Sequence, residues 1–66
     1  MSELKSIVEA LIFASPDPVT MKTLTKLLDT EPKEEIVAAL AALKEDYQRQ
    51  GGLTLVEVAG GYQIVT

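Results

Sequence analysis

The side chains best suited to chemistry in this sequence are carboxylates, because its 66 residues include no cysteine and no histidine. Two adjacent acidic pairs occur, Glu34-Glu35 and Glu45-Asp46. Catalytic carboxylates must converge on one substrate, whereas neighbouring side chains on a helix point about 100° apart. The lack of His and Cys also removes the usual zinc ligand sets. We therefore expect both pairs to be solvated helix surface, with no catalytic residue, metal or cofactor.

Two glycine pairs, Gly51-Gly52 and Gly60-Gly61, are the other short motifs with chemical potential. A phosphate-binding P-loop requires a Lys and a Ser or Thr that open a helix directly after its glycines. Neither pair is followed by those residues, so both are interpreted as turn glycines. The sequence predicts a domain that is not an enzyme.

The elements that would position any binding surface are indicated by caps, breakers and periodicity. A first helix is expected over residues 2–15, with Ser2 as its cap and Pro16 ending it. Val19 is expected in a short strand, followed by a second helix over residues 21–28 that Thr20 caps. A third helix is expected to take Thr30 as its cap, with Pro32 in its first turn, and to extend to about Arg49.

The chain after the third helix has the pattern of a β-hairpin. Gly51 is expected at the left-handed position that ends the helix. Strands over residues 53–58 and 62–66 flank the turn Ala59-Gly60-Gly61. Three helices followed by a hairpin predict an α+β winged helix, meaning a helix-turn-helix core with a C-terminal wing.

Apolar side chains at helical spacing indicate which faces form the core. The positions expected to face inward are Leu4, Ile7, Val8, Leu11 and Ile12 in the first helix, Leu24, Leu27 and Leu28 in the second, and Ile36, Leu40, Leu43 and Tyr47 in the third.

A winged helix often reads DNA with its third helix, but the chemistry of that helix here argues against DNA binding. Its outer face carries Glu34 and Glu45 at the ends and alanines between them. Glutamate repels phosphate, and alanine has no hydrogen-bonding group for base edges. The formal net charge of −4 also argues against DNA binding. In the wing, Glu57 lies just before the turn, where a DNA-binding wing would need a cation.

An interaction with protein is the alternative that the apolar surface favours. Both strands of the hairpin carry neighbouring apolar residues, so both faces need cover, and the helices cover only one. The alanine face admits close approach by another backbone, although high helix propensity alone also explains it. Phe13 lies away from the main core face, and the favoured interpretation is that it packs under "SPDP" or the hairpin rather than anchoring a partner. The candidate interface residues are Phe13, Ala38, Ala41, Ala42, Val56, Val58, Tyr62 and Ile64, with Gly60 and Gly61 in the wing turn.

The chain is long enough for a single domain, residues 1–66. Because it ends directly after an apolar strand, we expect it to be a fragment of a longer protein. No basic region precedes the first apolar segment, which is too short to span a membrane. A cytoplasmic protein without membrane contact is therefore expected.

Three segments together resemble one family. The motifs "VEALIFAS" (residues 8–15), "PVTMKTL" (residues 18–24) and "VEVAGGYQIVT" (residues 56–66) resemble the start of segregation and condensation protein B. The resemblance covers essentially the whole chain, and "VAGGY" is its most diagnostic part.

The resemblance implies a non-enzymatic subunit of the bacterial SMC condensin-like complex, which acts in chromosome segregation and condensation. It implies a longer protein with two winged-helix domains, of which this chain would be the N-terminal fragment. It also implies homodimers formed largely through the N-terminal domains, and binding to the kleisin subunit, segregation and condensation protein A. SMC would be reached through the kleisin, and association with the nucleoid through the complex, without direct contact with nucleic acid. Two alternatives stay open, namely a DNA-binding domain of a transcriptional regulator and an adaptor domain of some other complex.

Overall fold

The computed structural model describes residues 3–65 and confirms the winged helix, with three helices and an antiparallel three-stranded sheet. The last strand lies between the other two, so the first strand pairs with the last one. The expected cap Ser2 and the strand end Thr66 lie outside the described residues. The elements are α1 (Glu3–Ala14), β1 (Val19–Thr20), α2 (Met21–Leu27), α3 (Lys33–Gln50), β2 (Thr54–Val58) and β3 (Gly61–Val65).

The start of α2 follows the sequence prediction. Thr20 has extended backbone angles, and its side-chain oxygen accepts a hydrogen bond from the Thr23 backbone N–H at 3.1 Å. This bond satisfies one of the amides that every helix leaves free in its first turn. The cap therefore joins β1 directly to α2 without an intervening loop.

The predicted cap of α3 is wrong. Pro32, not Thr30, is the capping residue, and no side chain caps the helix. Proline holds φ at −63°, and its carbonyl accepts hydrogen bonds from the N–H groups of Glu35 at 3.0 Å and Ile36 at 3.3 Å. Thr30 lies two residues earlier, in the preceding turn, outside the position from which a cap serves the first turn.

The end of α3 shows the expected use of glycine in a different geometry. Gly51 has a positive φ of 71°, which an L-residue rarely adopts. Its ψ of 162° lies far from the left-handed helical value near 47°, so the predicted left-handed helical cap is wrong. The ψ angle at Gly51 is instead close to that of extended backbone, and the chain continues from there to β2.

The core is narrower than the sequence pattern predicted. Ile7 is 46% exposed and Leu27 is 58% exposed, so neither packs inward as expected. In α1 the buried residues Leu4, Val8 and Ile12 follow one another at a spacing of four. The two-turn α2 buries a single residue. The buried apolar side chains are Leu4, Val8, Ile12, Val19, Leu24, Ile36, Ala39, Leu40, Leu43, Tyr47 and Leu55.

Polar contacts join α1 to the second half of α3. The buried Tyr47 hydroxyl donates a hydrogen bond to a Glu9 carboxylate oxygen at 2.5 Å, and this bond, with burial, raises the pKa of Tyr47 to about 12. Lys5 forms an ion pair with Asp46, which also accepts a hydrogen bond from Arg49 at 3.2 Å. The Lys5 contact, reinforced by Arg49, holds the pKa of Asp46 below its usual value.

The wing turn has two residues rather than the predicted three. Ala59 and Gly60 have φ values of 50° and 76°, the two successive positive angles of a type I′ turn. Gly61 belongs to β3, where it pairs with Val58 on one side and Thr20 on the other. A Cβ atom at Gly61 would lie 2.9 Å from the Pro18 Cβ atom, so this glycine serves the close approach of β1.

Candidate protein-interaction surface

The strand register separates the hairpin candidates onto two faces. Residues opposite each other in an antiparallel ladder point to the same side, and Ile64 is opposite the buried Leu55. Ile64 and Tyr62 therefore share the inner face, where both pack half-buried against the core. Val56 and Val58 lie on the outer face, and Val58 is 40% exposed. Both faces carry apolar side chains, as expected, and among the described residues the helices pack against the inner one.

The alanine face of α3 is accessible. Ala38 and Ala41 are exposed and Ala42 is half-buried, whereas Ala39 belongs to the core. Val37 lies beside them and is 46% exposed. The sequence pattern did not single out Val37, although its position one residue after the buried Ile36 places it off the core stripe.

Phe13 is exposed, which overturns the favoured interpretation that it packs under the neighbouring loop. Its exposed fraction is 65%, the largest among the exposed large apolar side chains of the described residues. A shallow depression surrounds it on the outer side of α1. We call this the Phe13 patch, and it is lined by Ser6, Glu9, Ala10, Phe13, Tyr47 and Leu53.

A second depression lies between α3 and the wing and has a volume of about 200 Å³. Four of its residues are spaced along one face of α3, and four come from the hairpin. We call it the α3–wing groove. It is lined by Val37, Leu40, Ala41, Lys44, Leu55, Val56, Glu57 and Tyr62.

The predicted interface residues do not form one site. Ala41, Val56 and Tyr62 come together in the α3–wing groove, while Phe13 is part of the separate Phe13 patch on α1. Val58 is on the outer face of the sheet. The sequence missed the groove's Lys44 and Val37, since only the packing of the hairpin beside α3 identifies which helical positions flank it.

The charges around the groove are mixed, with Lys44 on the helix and Glu57 on the wing. The exposed face of α3 also carries Glu34 and Glu45, as expected. Between residues 56 and 61 of the wing the only ionisable side chain is Glu57. Within residues 3–65, this surface therefore carries charges of both signs rather than a continuous cationic track that would follow a phosphate backbone.

No group of three or more potential metal-ligating side chains occurs within residues 3–65. Within the same residues, no helix is both long and apolar enough to cross a membrane.

Comparison with known proteins agrees with this architecture. The family model described as segregation and condensation complex subunit ScpB matches residues 6–66, which is nearly the entire chain. The chain belongs to the ScpB family. ScpB proteins are structural subunits of the segregation and condensation complex, and the family is not a known enzyme family.

Two curated relatives show the extent of the similarity. Segregation and condensation protein B of Syntrophotalea carbinolica is 46% identical over 65 residues, covering 97% of this chain and 32% of the relative. The ScpB homolog of Coxiella burnetii is 44% identical over 68 residues, covering 96% of this chain and 32% of the relative. The chain thus spans about a third of the length of these ScpB proteins.

Two solved ScpB structures share the fold. A crystal structure of a dimer of ScpB N-terminal domain complexed with ScpA peptide matches with a TM-score of 0.83 and 31% identity, covering all of this chain and 80% of that one. ScpB from Mycobacterium tuberculosis matches with a TM-score of 0.82 and 28% identity, covering 97% of this chain and 40% of that one.

Proposed function

We propose that this chain is the N-terminal winged-helix domain of a non-enzymatic ScpB-type subunit that forms homodimers and binds the kleisin subunit, segregation and condensation protein A. The observation that carries the proposal is the similarity to the ScpB N-terminal domain crystallised as a dimer with an ScpA peptide. Through the kleisin the subunit would act with SMC in chromosome partition, in the cytoplasm at the nucleoid. A second winged-helix domain would account for much of the remaining length of the relatives.

The Phe13 patch is the surface that we assign to self-association. A Phe side chain buries about 150–250 Å² when fully covered, and 65% of Phe13 is exposed. At about 25 cal/mol per Å², covering the exposed part would stabilise a dimer by about 2–4 kcal/mol per protomer before the costs of association. Ala10 beside it is small enough to let a second helix approach closely.

Light scattering on a concentration series tests this assignment with Phe13→Ser against a matched control, Leu27→Ser. Leu27 is 58% exposed but lies on α2, away from the patch. We expect Phe13→Ser to raise the dimer Kd at least about tenfold, consistent with losing more than 1.4 kcal/mol. Leu27→Ser should leave the dimer unchanged. Equal effects of the two variants would contradict the assignment to α1.

Binding assays test the kleisin and DNA parts of the proposal. A fluorescently labelled kleisin fragment should bind this chain in an anisotropy titration. Random duplex DNA at low salt should not shift in a gel with it, because the exposed faces of α3 and the wing hold carboxylates at Glu34, Glu45 and Glu57. Salt-sensitive DNA binding without kleisin binding would instead support a transcriptional regulator.

A further inference from the structure

We propose that the free edge of β2, together with the α3–wing groove, binds an extended segment of the kleisin as an additional strand of the sheet. The inference rests on the proposed function and specifies where and how the partner binds. The bound segment would have an extended backbone, and the apolar side chains at its alternate positions would face α3.

The sheet leaves β2 with a free edge. In the order β1-β3-β2, one edge of β2 pairs with β3 and the other pairs with no strand of the described chain. An exposed strand edge presents unpaired N–H and C=O groups that readily pair with another chain. Addition of a strand at such an edge is a recurrent way to bind extended peptides.

The hairpin register identifies the backbone groups that are available. Val58 and Gly61 flank the two-residue turn, and residues in that position form a hydrogen-bonded pair. Bonded and non-bonded pairs alternate along an antiparallel ladder. Leu55 and Glu57 therefore direct their N–H and C=O groups away from β3. Among the described residues, no backbone hydrogen bond to a loop or cap engages either of them.

The groove accounts for the side chains of an added strand. A strand beside β2 would extend the inner face of the sheet over α3, where Val37 and Ala41 form an apolar wall and Lys44 lies at one end. The groove has a volume of about 200 Å³ and is open to solvent on one side, so apolar side chains of an added strand can enter it.

The same geometry argues against a second copy of this chain at the edge. Two antiparallel β2 strands paired about a twofold axis perpendicular to the sheet would place both α3 helices on the same side of the joined sheet. Each copy carries a formal net charge of −4, so the approach would bring two anionic domains together. A peptide has no such helix, and a similar ScpB domain does bind an ScpA peptide.

The first test compares Glu57→Pro with Glu57→Gln in binding to overlapping 20-residue peptides that tile the kleisin of the same organism. Proline removes the outward N–H at position 57 and is tolerated on an edge strand when that N–H faces solvent. Losing one backbone hydrogen bond and the close approach of the peptide to β2 should raise the Kd for the peptide at least about tenfold. Glu57→Gln removes the charge but keeps the N–H, so its Kd should rise less than that of Glu57→Pro; equal losses would assign the effect to the side chain rather than to the edge backbone.

A second pair of variants keeps the test decisive if Glu57→Pro does not fold. Ala41→Gln projects a longer side chain into the groove, whereas Ala38→Gln makes the same change on an exposed part of α3 outside it. Glutamine is a good helix former, so both variants should fold. We expect Ala41→Gln to weaken peptide binding at least about fivefold and Ala38→Gln to leave it unchanged.

Amide hydrogen exchange measured by NMR supplies the direct readout. Saturating peptide should protect the amides of Leu55 and Glu57, which are free of the β3 ladder. Peptide binding without that protection, and with wild-type affinity in both Glu57→Pro and Ala41→Gln, would overturn the inference and leave the proposed function standing. Protection that grows with protein concentration in the absence of peptide would show a second copy at the edge and overturn it too. If no tiled peptide binds, kleisin binding itself fails and the inference fails with it.

Discussion

Exchanging the residues of the wing turn should change the stability of the domain through backbone strain alone. Ala59 and Gly60 both have positive φ, 50° and 76°. A Cβ atom added at Gly60 would meet nothing within 4 Å. Ala59→Gly should therefore stabilise the protein and Gly60→Ala should destabilise it, with no steric clash in Gly60→Ala.

The magnitude follows from two opposing terms. An L-residue in the left-handed region costs about 1–2 kcal/mol, which Ala59→Gly relieves. Glycine also gains about 0.5–1 kcal/mol of conformational freedom in the unfolded chain, which offsets part of that relief. The net gain for Ala59→Gly is about 0.5–1 kcal/mol, and Gly60→Ala should lose a similar amount. In a domain of this size, each kcal/mol shifts Tm by about 4–8 °C, so we expect shifts of about 2–8 °C in opposite directions.

Thermal unfolding followed by circular dichroism at one fixed protein concentration measures both shifts. The concentration must be fixed because self-association also raises Tm. The double variant Ala59→Gly/Gly60→Ala has the wild-type composition and should unfold near the wild-type temperature. If Ala59→Gly lowered Tm, or Gly60→Ala left it unchanged, the type I′ turn with a strained alanine would be refuted.

Two further outcomes concern the core and the α1–α3 contact. Leu43→Ala should lower the free energy of unfolding by about 2–5 kcal/mol, because Leu43 is only 1% exposed. Leu27→Ala, at a position that is 58% exposed, should change the free energy of unfolding little. Equal losses for the two variants in urea titrations would contradict the described core. The raised Tyr47 pKa means that the fold favours the protonated phenol, so its contribution is fully present below about pH 10 and is lost as the pH rises through about 12. The Tm measured between pH 9 and 12 should show this loss of stability in the wild type and not in Tyr47→Phe. If the Tm of Tyr47→Phe fell with pH in parallel with that of the wild type, the hydrogen bond to Glu9 would not stabilise the protonated phenol.

The sequence predicted helix starts and buried helix faces well where they depend on residues that are close together in the chain. Thr20 caps α2 as expected, because a hydroxyl three residues before a free amide needs no other part of the chain. The α3 stripe from Ile36 to Tyr47 is buried as expected, since one long helix with a regular apolar period has one core side. The predicted cap of α3 was wrong because Pro32 already has the extended backbone angles of a capping residue, so Thr30 does not act as the cap.

The candidate site depended on contacts between elements, and there the sequence was less informative. Periodicity places Ile7 and Val8 on the same general face of α1, yet Val8 is fully buried and Ile7 is 46% exposed. How wide a buried stripe becomes is set by the helix packed against it. For the same reason the sequence did not predict that Phe13 is exposed, nor that Val37 and Lys44 flank the wing.

The sequence by itself determined the order of the elements, the winged-helix class and the anionic character of the surface, because caps, breakers, apolar spacing and charge are properties of neighbouring residues. Only the tertiary structure decided that the wing turns at Ala59-Gly60, that β2 is an edge strand and that its free backbone lies beside a groove on α3. Strand order and helix packing arise from contacts between segments far apart in the chain, and the period of a single segment does not specify its partner.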